Sequence, residues 1–230
     1  MAKKKNLRQM TSLVAMTNPR SPISEQYRTI RANIENAMMK MDVKTILVTS
    51  PGAGEGKTMT LANLAVVFAE QGKRVLVIDS DMRKPSLHLR FSSGNSPGLS
   101  NVLTGENKLE EVIRETGVHN LNLVPSGGLP SNPSELLSSN RMKELLDKAS
   151  DMYDLILFDS PPSLYVADGQ VLARYCDGAI IVLRNKQTDY KAAIKTKNLL
   201  DNTSTSILGA VLNDQEKYKM DHYYSAIPMK

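Results

Sequence analysis

Tryptophan is absent from the 230 residues, cysteine occurs once and histidine three times. The lone Cys176 cannot close an intrachain disulfide, and His88, His119 and His222 are scattered, so no Cys/His set has metal-site spacing. A disulfide scaffold and a zinc module are excluded, and a reducing compartment fits. No uninterrupted apolar run approaches the roughly 18 to 20 residues that cross a bilayer. The amino terminus opens on Lys3, Lys4, Lys5 and polar Asn6, without the apolar centre of a signal peptide. A chain that neither spans a membrane nor is secreted is therefore expected. Aromatic residues make up only 5%, yet 41% hydrophobic and 23% charged residues suffice for one globular domain with a real core.

Lysine and arginine (29) exceed aspartate and glutamate (24), giving a formal charge of +5. Such a surplus suits nucleic acid, an anionic membrane surface or phosphate ligands, and composition does not choose among them. Lys3, Lys4, Lys5 and Arg8 carry much of it, so a mobile basic arm is expected at the amino terminus and near balance elsewhere.

Short β-branched runs alternate with longer amphipathic stretches. Strands are predicted at 45–49 (TILVT), 75–79 (VLVID), 121–125 (LNLVP), 155–159 (LILFD), 179–183 (AIIVL) and 207–212 (ILGAVL). Helices are predicted at 24–41, with Ser24 as a possible cap, and at 57–71, 133–150 with a break near Ser139, 166–175 and 190–202. Residues 108–115 read as a charged helix face, and 214–230 as a mobile tyrosine-bearing tail. Strands apolar at nearly every position should be buried on both sides, so the fold class is α/β, a mostly parallel sheet with helices on both faces. Ligands of such sheets sit at the carboxyl ends of the strands, which directs attention to Ser50, Asp79, Asp159 and Asn213.

After the first strand comes Ser50-Pro51-Gly52-Ala53-Gly54-Glu55-Gly56-Lys57-Thr58, then Met59 and an apolar helix. Strand, glycine-rich turn and helix are the context of a P-loop. Its backbone N–H groups curl around phosphate oxygens, the helix terminus adds positive potential, Lys57 reaches the β and γ phosphates and Thr58 offers a hydroxyl to magnesium. The strict pattern has glycine where this chain has Pro51; Gly52, Gly54 and Gly56 supply the flexibility. Gly52 to Met59 is thus the candidate nucleotide-binding segment.

Two strands end in carboxylates, as Asp79-Ser80-Asp81-Met82-Arg83 and Asp159-Ser160-Pro161-Pro162. Taken singly, each aspartate fits a helix cap or a turn. Together, three carboxylates at the tips of two buried strands are costly unless a cation compensates them. Magnesium, a hard ion that keeps several waters, would suit Thr58, nucleotide oxygens and one or two of these carboxylates.

The P-loop followed by VLVIDSDMR, an aspartate-rich Walker A′ motif, and LILFDSPP, a Walker B motif, resembles the bacterial tyrosine kinases, P-loop enzymes unrelated in fold to eukaryotic protein kinases. The resemblance covers residues 21–213 and is to the separate kinase subunit of Gram-positive bacteria. It implies ATP and Mg2+ as cofactors. It implies that Lys57 neutralises the transferred phosphoryl group, that Thr58 and Asp81 hold magnesium with Asp159 supporting it through water, and that Asp79 acts as base or positions the acceptor hydroxyl. The implied phosphoacceptors are Tyr218, Tyr223 and Tyr224 of the carboxyl-terminal tail. Asn213 matches a position that contacts adenine in P-loop relatives, with a simple turn as the other reading; Arg184 lies either near the nucleotide or on the surface.

Glu25, Arg28 and Arg31 form E-x-x-R-x-x-R on one helical face. Such a face is ordinarily solvated, but the resemblance implies an oligomerisation contact that closes a ring and allows phosphorylation in trans. The implied organisation is an arm at 1–20, a kinase domain at 21–213 whose helix at 21–41 oligomerises, and a tail at 214–230. Implied partners are a transmembrane modulator, tyrosine-bearing protein substrates and a counteracting tyrosine phosphatase, with no nucleic acid. The implied place is the cytoplasm, at the inner face of the membrane, in control of capsule or exopolysaccharide synthesis. The rivals are a partition or division-site ATPase, whose signature lysine would stand where this chain has Gly52, and a nucleotide-dependent assembly scaffold.

Overall fold

The computed structural model describes residues 13–39 and 41–215. In chain order these form α1 (Val14–Thr17), α2 (Pro22–Met38), β1 (Thr45–Thr49), α3 (Lys57–Ala69), β2 (Val75–Asp79), α4 (Leu87–Arg90), α5 (Leu99–Thr104), α6 (Leu109–Val112), β3 (Arg114–Glu115), β4 (Leu121–Val124), α7 (Pro133–Leu137), α8 (Asn140–Met152), β5 (Leu155–Asp159), α9 (Asp168–Ala173), β6 (Gly178–Arg184), α10 (Tyr190–Asp201) and β7 (Ser206–Asn213).

The strands make one sheet in the order β3-β4-β2-β5-β1-β6-β7. Every neighbouring pair is parallel except β3 with β4. From β1 the chain crosses over β5 to reach β2, and from β5 it returns over β1 to β6. This reversal opens a crevice at the carboxyl end of β1, the ligand position of open parallel sheets. β1, β2 and β5 are buried at every residue, as their unbroken apolar runs predict.

Two apolar layers cover the sheet. On one face Leu61, Leu64, Val67 and Phe68 of α3 pack with Ile46, Val48, Val75, Val77, Leu155 and Leu157. On the other, Met142, Leu145 and Ala149 of α8 pack with Leu47, Leu76, Ile78, Ile156 and Phe158. Alternate residues of each strand therefore feed opposite layers, the period of two that a pleated sheet imposes.

Several boundaries differ from expectation for identifiable reasons. The cap of α2 is Ser21, whose Oγ accepts from Ser24 N at 3.1 Å; Ser24 lies within the first turn, buried, donating to the Asn18 carbonyl at 2.7 Å. Pro22, at the first helical position, favours this earlier start. The arm expected over 1–20 is shorter at its inner end, because Leu13 and Ala15 are buried in the core and Ala15 N donates to Asn63 Oδ1 of α3 at 2.9 Å. The break near Ser139 separates α7 from α8 as expected. Residues 108–115 are not one helical face: Leu109 and Val112 bury one turn, and β3 follows. The last strand, β7, is an edge strand that is largely exposed rather than buried on both sides.

Candidate active site

Everything in the crevice hangs on how β1 becomes α3. Gly54 and Gly56 take φ of +78° and +94°, a region that side-chain-bearing residues rarely adopt. Gly56 is also crowded: a Cβ there would stand 2.0 Å from Asn213 Nδ2. Asn213 donates that amide to the Glu55 carbonyl at 3.0 Å, so the end of β7 seals the loop where α3 begins. Gly56→Ala is expected to destabilise the fold by about 1 to 3 kcal/mol and to expel Asn213 from the loop, checked by urea unfolding and nucleotide titration; an unchanged midpoint would contradict this packing.

The Glu55 side chain turns inward. Its carboxylate accepts from Gly52 N at 3.0 Å and from the Thr188 hydroxyl at 2.6 Å, bracing the loop from within. Arg184 donates to the Gly54 carbonyl at 3.2 Å and pairs with Asp214 at 2.9 Å, so it stands beside the loop and on the surface at once. Ala53 and Gly54 face solvent, leaving the rim of the loop open, while Met59 packs partly into the core beneath it.

The cationic and acidic side chains converge at this loop. Lys57 Nζ lies 3.5 Å from Asp81 Oδ2, and the Thr58 hydroxyl donates to Asp159 Oδ2 at 2.6 Å. Ser86 donates to the same threonine oxygen at 3.3 Å. Asp79 and Asp159 are register neighbours at the tips of β2 and β5, and Asp79, Asp81 and Asp159 are all buried. Burial, then the neighbouring Asp159 charge, holds Asp79 well above the ordinary carboxylate range. Burial likewise pushes Asp159 up to about 6, against the opposing pull of Lys57 and the Thr58 hydrogen bond.

Asp79 has a structural task as well: its Oδ2 accepts from Ser86 N at 3.1 Å and Leu87 N at 3.0 Å, and its Oδ1 from Asp81 N at 3.2 Å. It thus caps α4 from a distance, the helix-cap alternative raised for each aspartate. Asp81 accepts from Lys84 N at 3.0 Å, and Arg83 forks onto buried Asp168 at 2.9 and 3.2 Å, pinning the segment after β2 against α9. Ser86 and Thr188 escaped sequence reasoning. Neither belongs to a spaced motif, and only the return of distant segments to the loop gives them a role.

One atom tests the fit to magnesium. Asp159 Oδ1 is buried with no hydrogen-bond partner, a state that costs free energy unless a cation or ordered water completes it. With Thr58 Oγ1 and Asp81 Oδ2 nearby, the donor set is all oxygen, suited to a hard cation. Among the described residues no group of three or more His, Cys, Asp or Glu side chains forms a self-sufficient metal cage. Magnesium held partly by phosphate and water needs none.

A family model described as an AAA domain matches residues 43–207. The tyrosine-protein kinase YwqD of Bacillus subtilis (strain 168) is 43% identical over 221 residues, covering 96% of this chain and 93% of that protein. The chain belongs to the bacterial tyrosine-protein kinases. The tyrosine-protein kinase ptk of Acinetobacter johnsonii is 35% identical over 94% of this chain, which matches 29% of that longer protein. Among solved structures, the chimerical protein CapA2B2 superposes with a TM-score of 0.86 at 36% identity, covering 89% of this chain and 90% of that one. The septum site-determining protein MinD of Pyrococcus horikoshii OT3, complexed with Mg-ADP, matches with a TM-score of 0.64 at 28% identity, over 74% of this chain and 69% of that one.

The crevice brings together Lys57, Asp79, Asp81 and Asp159, expected as catalytic, and Thr58, expected to hold magnesium, with Asn213 on its loop. Glu25, Arg28 and Arg31 lie elsewhere. Arg31 donates to the Val67 carbonyl at 2.7 Å, and Arg28 bonds Pro19 O at 2.8 Å and Glu25, with Glu70 at 3.4 Å. Arg28 and Arg31 hold the carboxyl end of α3, roughly 15 Å along the helix from the loop. Tyr218, Tyr223 and Tyr224 lie outside the described residues.

Proposed function

We propose that this tyrosine kinase binds ATP across the Gly52–Met59 loop and phosphorylates the tyrosines of its own tail, Tyr218, Tyr223 and Tyr224, on a neighbouring copy. The observation that carries the reading is the pairing of Lys57 with Asp81 and of Thr58 with Asp159 around an unpartnered, buried carboxylate oxygen. Thr58 and Asp81 would hold magnesium, with Asp159 supporting it through water. The ion, when bound, would screen charge on the triphosphate and the departing diphosphate. Lys57 swings from Asp81 toward the transferred phosphoryl group, and Asp79 orients or accepts the proton of the incoming hydroxyl. Transfer of this kind demands alignment and charge compensation more than covalent help from the protein. Asn213 places the adenine.

A ring built through Glu25, Arg28 and Arg31 would bring one copy's tail to the next copy's crevice. A transmembrane modulator as partner and a role in capsule or exopolysaccharide production follow from the motif resemblance to the separate kinase subunits of Gram-positive bacteria. No helix among the described residues is long and apolar enough to cross a membrane. Recruitment to the inner face of the cell membrane would then fall to the modulator, with help from the basic amino terminus, a contribution that salt would weaken. A tyrosine phosphatase would reverse the tail modification.

Incubating the chain with ATP, Mg2+ and a modulator fragment, followed by phosphosite mass spectrometry, tests the reading. Phosphotyrosine at 218, 223 or 224 is the expected outcome; phosphate release without phosphotyrosine would indicate an ATPase instead. For the ring, Arg28→Ala with Arg31→Ala is expected to shift the protein to monomer by light scattering, and an unchanged mass would remove that part of the proposal. Thermal unfolding alongside separates this from the loss of the Val67 hydrogen bond, worth about 1 kcal/mol.

A further inference from the structure

Ser86 stands at the N-cap of α4 yet does not cap it: among the described residues its hydroxyl accepts no capping hydrogen bond. A serine in that place ordinarily takes an N–H of its own first turn. Asp79 does this instead from the tip of β2, receiving Ser86 N at 3.1 Å and Leu87 N at 3.0 Å. The Ser86 hydroxyl is thereby released from its local task. It turns to Thr58 Oγ1, 3.3 Å away and 28 residues back along the chain.

Proton bookkeeping fixes the direction of that bond. A hydroxyl has one proton to give and two lone pairs to receive with, and an ionised carboxylate can only accept. Thr58 gives its proton to Asp159 Oδ2 at 2.6 Å, so Ser86 is the donor, filling one lone pair of Thr58 and leaving one for a further partner. The segment that delivers Ser86 is itself pinned. Ser80 donates its N–H at 2.9 Å and its hydroxyl at 2.6 Å to the Asp159 carbonyl, Lys84 N donates to Asp81 Oδ1 at 3.0 Å, and Arg83 forks onto Asp168. Pro85, with its fixed φ, leads directly into Ser86. Because Asp79 and Asp159 are register neighbours, Asp79, Ser86, Thr58 and Asp159 form a closed circuit.

We infer that Ser86 is a positioning residue for the metal side of the site: it fixes the Thr58 hydroxyl so that its proton stays on Asp159 and its remaining lone pair is kept for a divalent cation. The inference rests on the proposed ATP- and Mg2+-dependent reaction and deepens it. Through one residue, the carboxylate proposed to face the acceptor hydroxyl is tied to the threonine proposed to hold magnesium. Without the Ser86 hydroxyl, Thr58 keeps only the Asp159 bond and turns about it, so orientation must be established anew when the ion arrives. Partners of this outer kind change metal affinity by about 10- to 100-fold. At 3.3 Å the Ser86 bond belongs at the lower end of that range.

Calorimetric titration of the full-length chain with ADP, in EDTA and in saturating Mg2+, tests this on wild type, Ser86→Ala and Ser86→Thr. Threonine keeps the hydroxyl and suits the same N-cap backbone. Ser86→Ala is expected to cut the Mg2+ enhancement of ADP affinity by about 10-fold while affinity in EDTA stays within about two-fold of wild type, and Ser86→Thr to restore the enhancement. In kinase assays the Mg2+ concentration for half-maximal phosphotyrosine formation should rise in Ser86→Ala by a larger factor than the saturating rate falls. Equal weakening with and without Mg2+ would show that Ser86 merely supports α4 and would overturn the inference. So would an enhancement unchanged in Ser86→Ala, or one that threonine does not restore, and in those cases tail phosphotyrosine on the wild type leaves the proposed function standing. Wild-type ADP binding indifferent to Mg2+ would overturn the proposed cofactor and this inference together.

Discussion

Lys57→Met is expected to lower the rate of tyrosine phosphorylation by at least about 10²-fold while leaving the fold intact. Methionine keeps the length and much of the apolar stem of lysine but removes its charge. In the resting protein that charge is shared with Asp81 at 3.5 Å and also restrains the Asp159 carboxyl from rising further. During transfer it would compensate negative charge on the moving phosphoryl group, where a preorganised cation is worth most. The Lys57 side chain is only 13% exposed and its loss leaves buried Asp81 without its cation, so the unfolding midpoint should fall while circular dichroism still reports a folded chain. Initial rates of phosphotyrosine formation decide the matter, and a variant within a few-fold of wild type would remove Lys57 from the chemistry.

The second large effect has opposite signs for stability and activity. Asp159 has an ordinary value of 3.8 and is raised to about 6 by burial. Below pH ~4 the carboxyl is protonated in folded and unfolded chains alike, and burial of the neutral form carries no charge penalty. Between these values the unfolded chain releases its proton while the folded chain retains it, so native stability falls as pH rises through about 6. Asp79, raised in the same direction, adds to the fall. Asp159→Asn escapes the titration. In EDTA and without nucleotide it is expected to be more stable than wild type at pH ~7.5, by on the order of 2 kcal/mol, and to lose that advantage near pH ~4. Its kinase activity should meanwhile fall by at least about 10²-fold, because an amide offers magnesium no negative charge. Urea midpoints at the two pH values check the sign; a variant less stable at the higher pH would show that the Thr58 hydrogen bond outweighs the buried charge. By the same argument, magnesium affinity declines as pH falls through about 6, since the ion must displace the proton.

Much of this site was legible in residues close together along the chain. The P-loop needs glycines at positions of positive φ, and Gly54 and Gly56 have them. Unbroken apolar runs marked β1, β2 and β5 as central strands, which placed Asp79 and Asp159 at strand tips before their adjacency was known. β7 misled for a physical reason. Its sequence ILGAVL is as apolar as a central strand, but β7 lies at the edge of the sheet, where its side chains are left largely exposed. The sequence predicts too long an arm because Leu13 and Ala15 show no period of their own; they bury only because α3 supplies Asn63 and an apolar wall.

By itself the amino-acid sequence determined the α/β class, the phosphate loop, the acidic strand ends and hence the kinase family, since each is written in neighbouring residues whose backbone demands or hydrophobic period are local. Tertiary structure alone decided that Asp79 caps α4, that Thr188 braces Glu55, that Arg31 closes the end of α3, and that Ser86 turns to Thr58. Those contacts join segments tens of residues apart, and their partners are set by how strands are ordered in the sheet, a choice made by the packing of the whole chain.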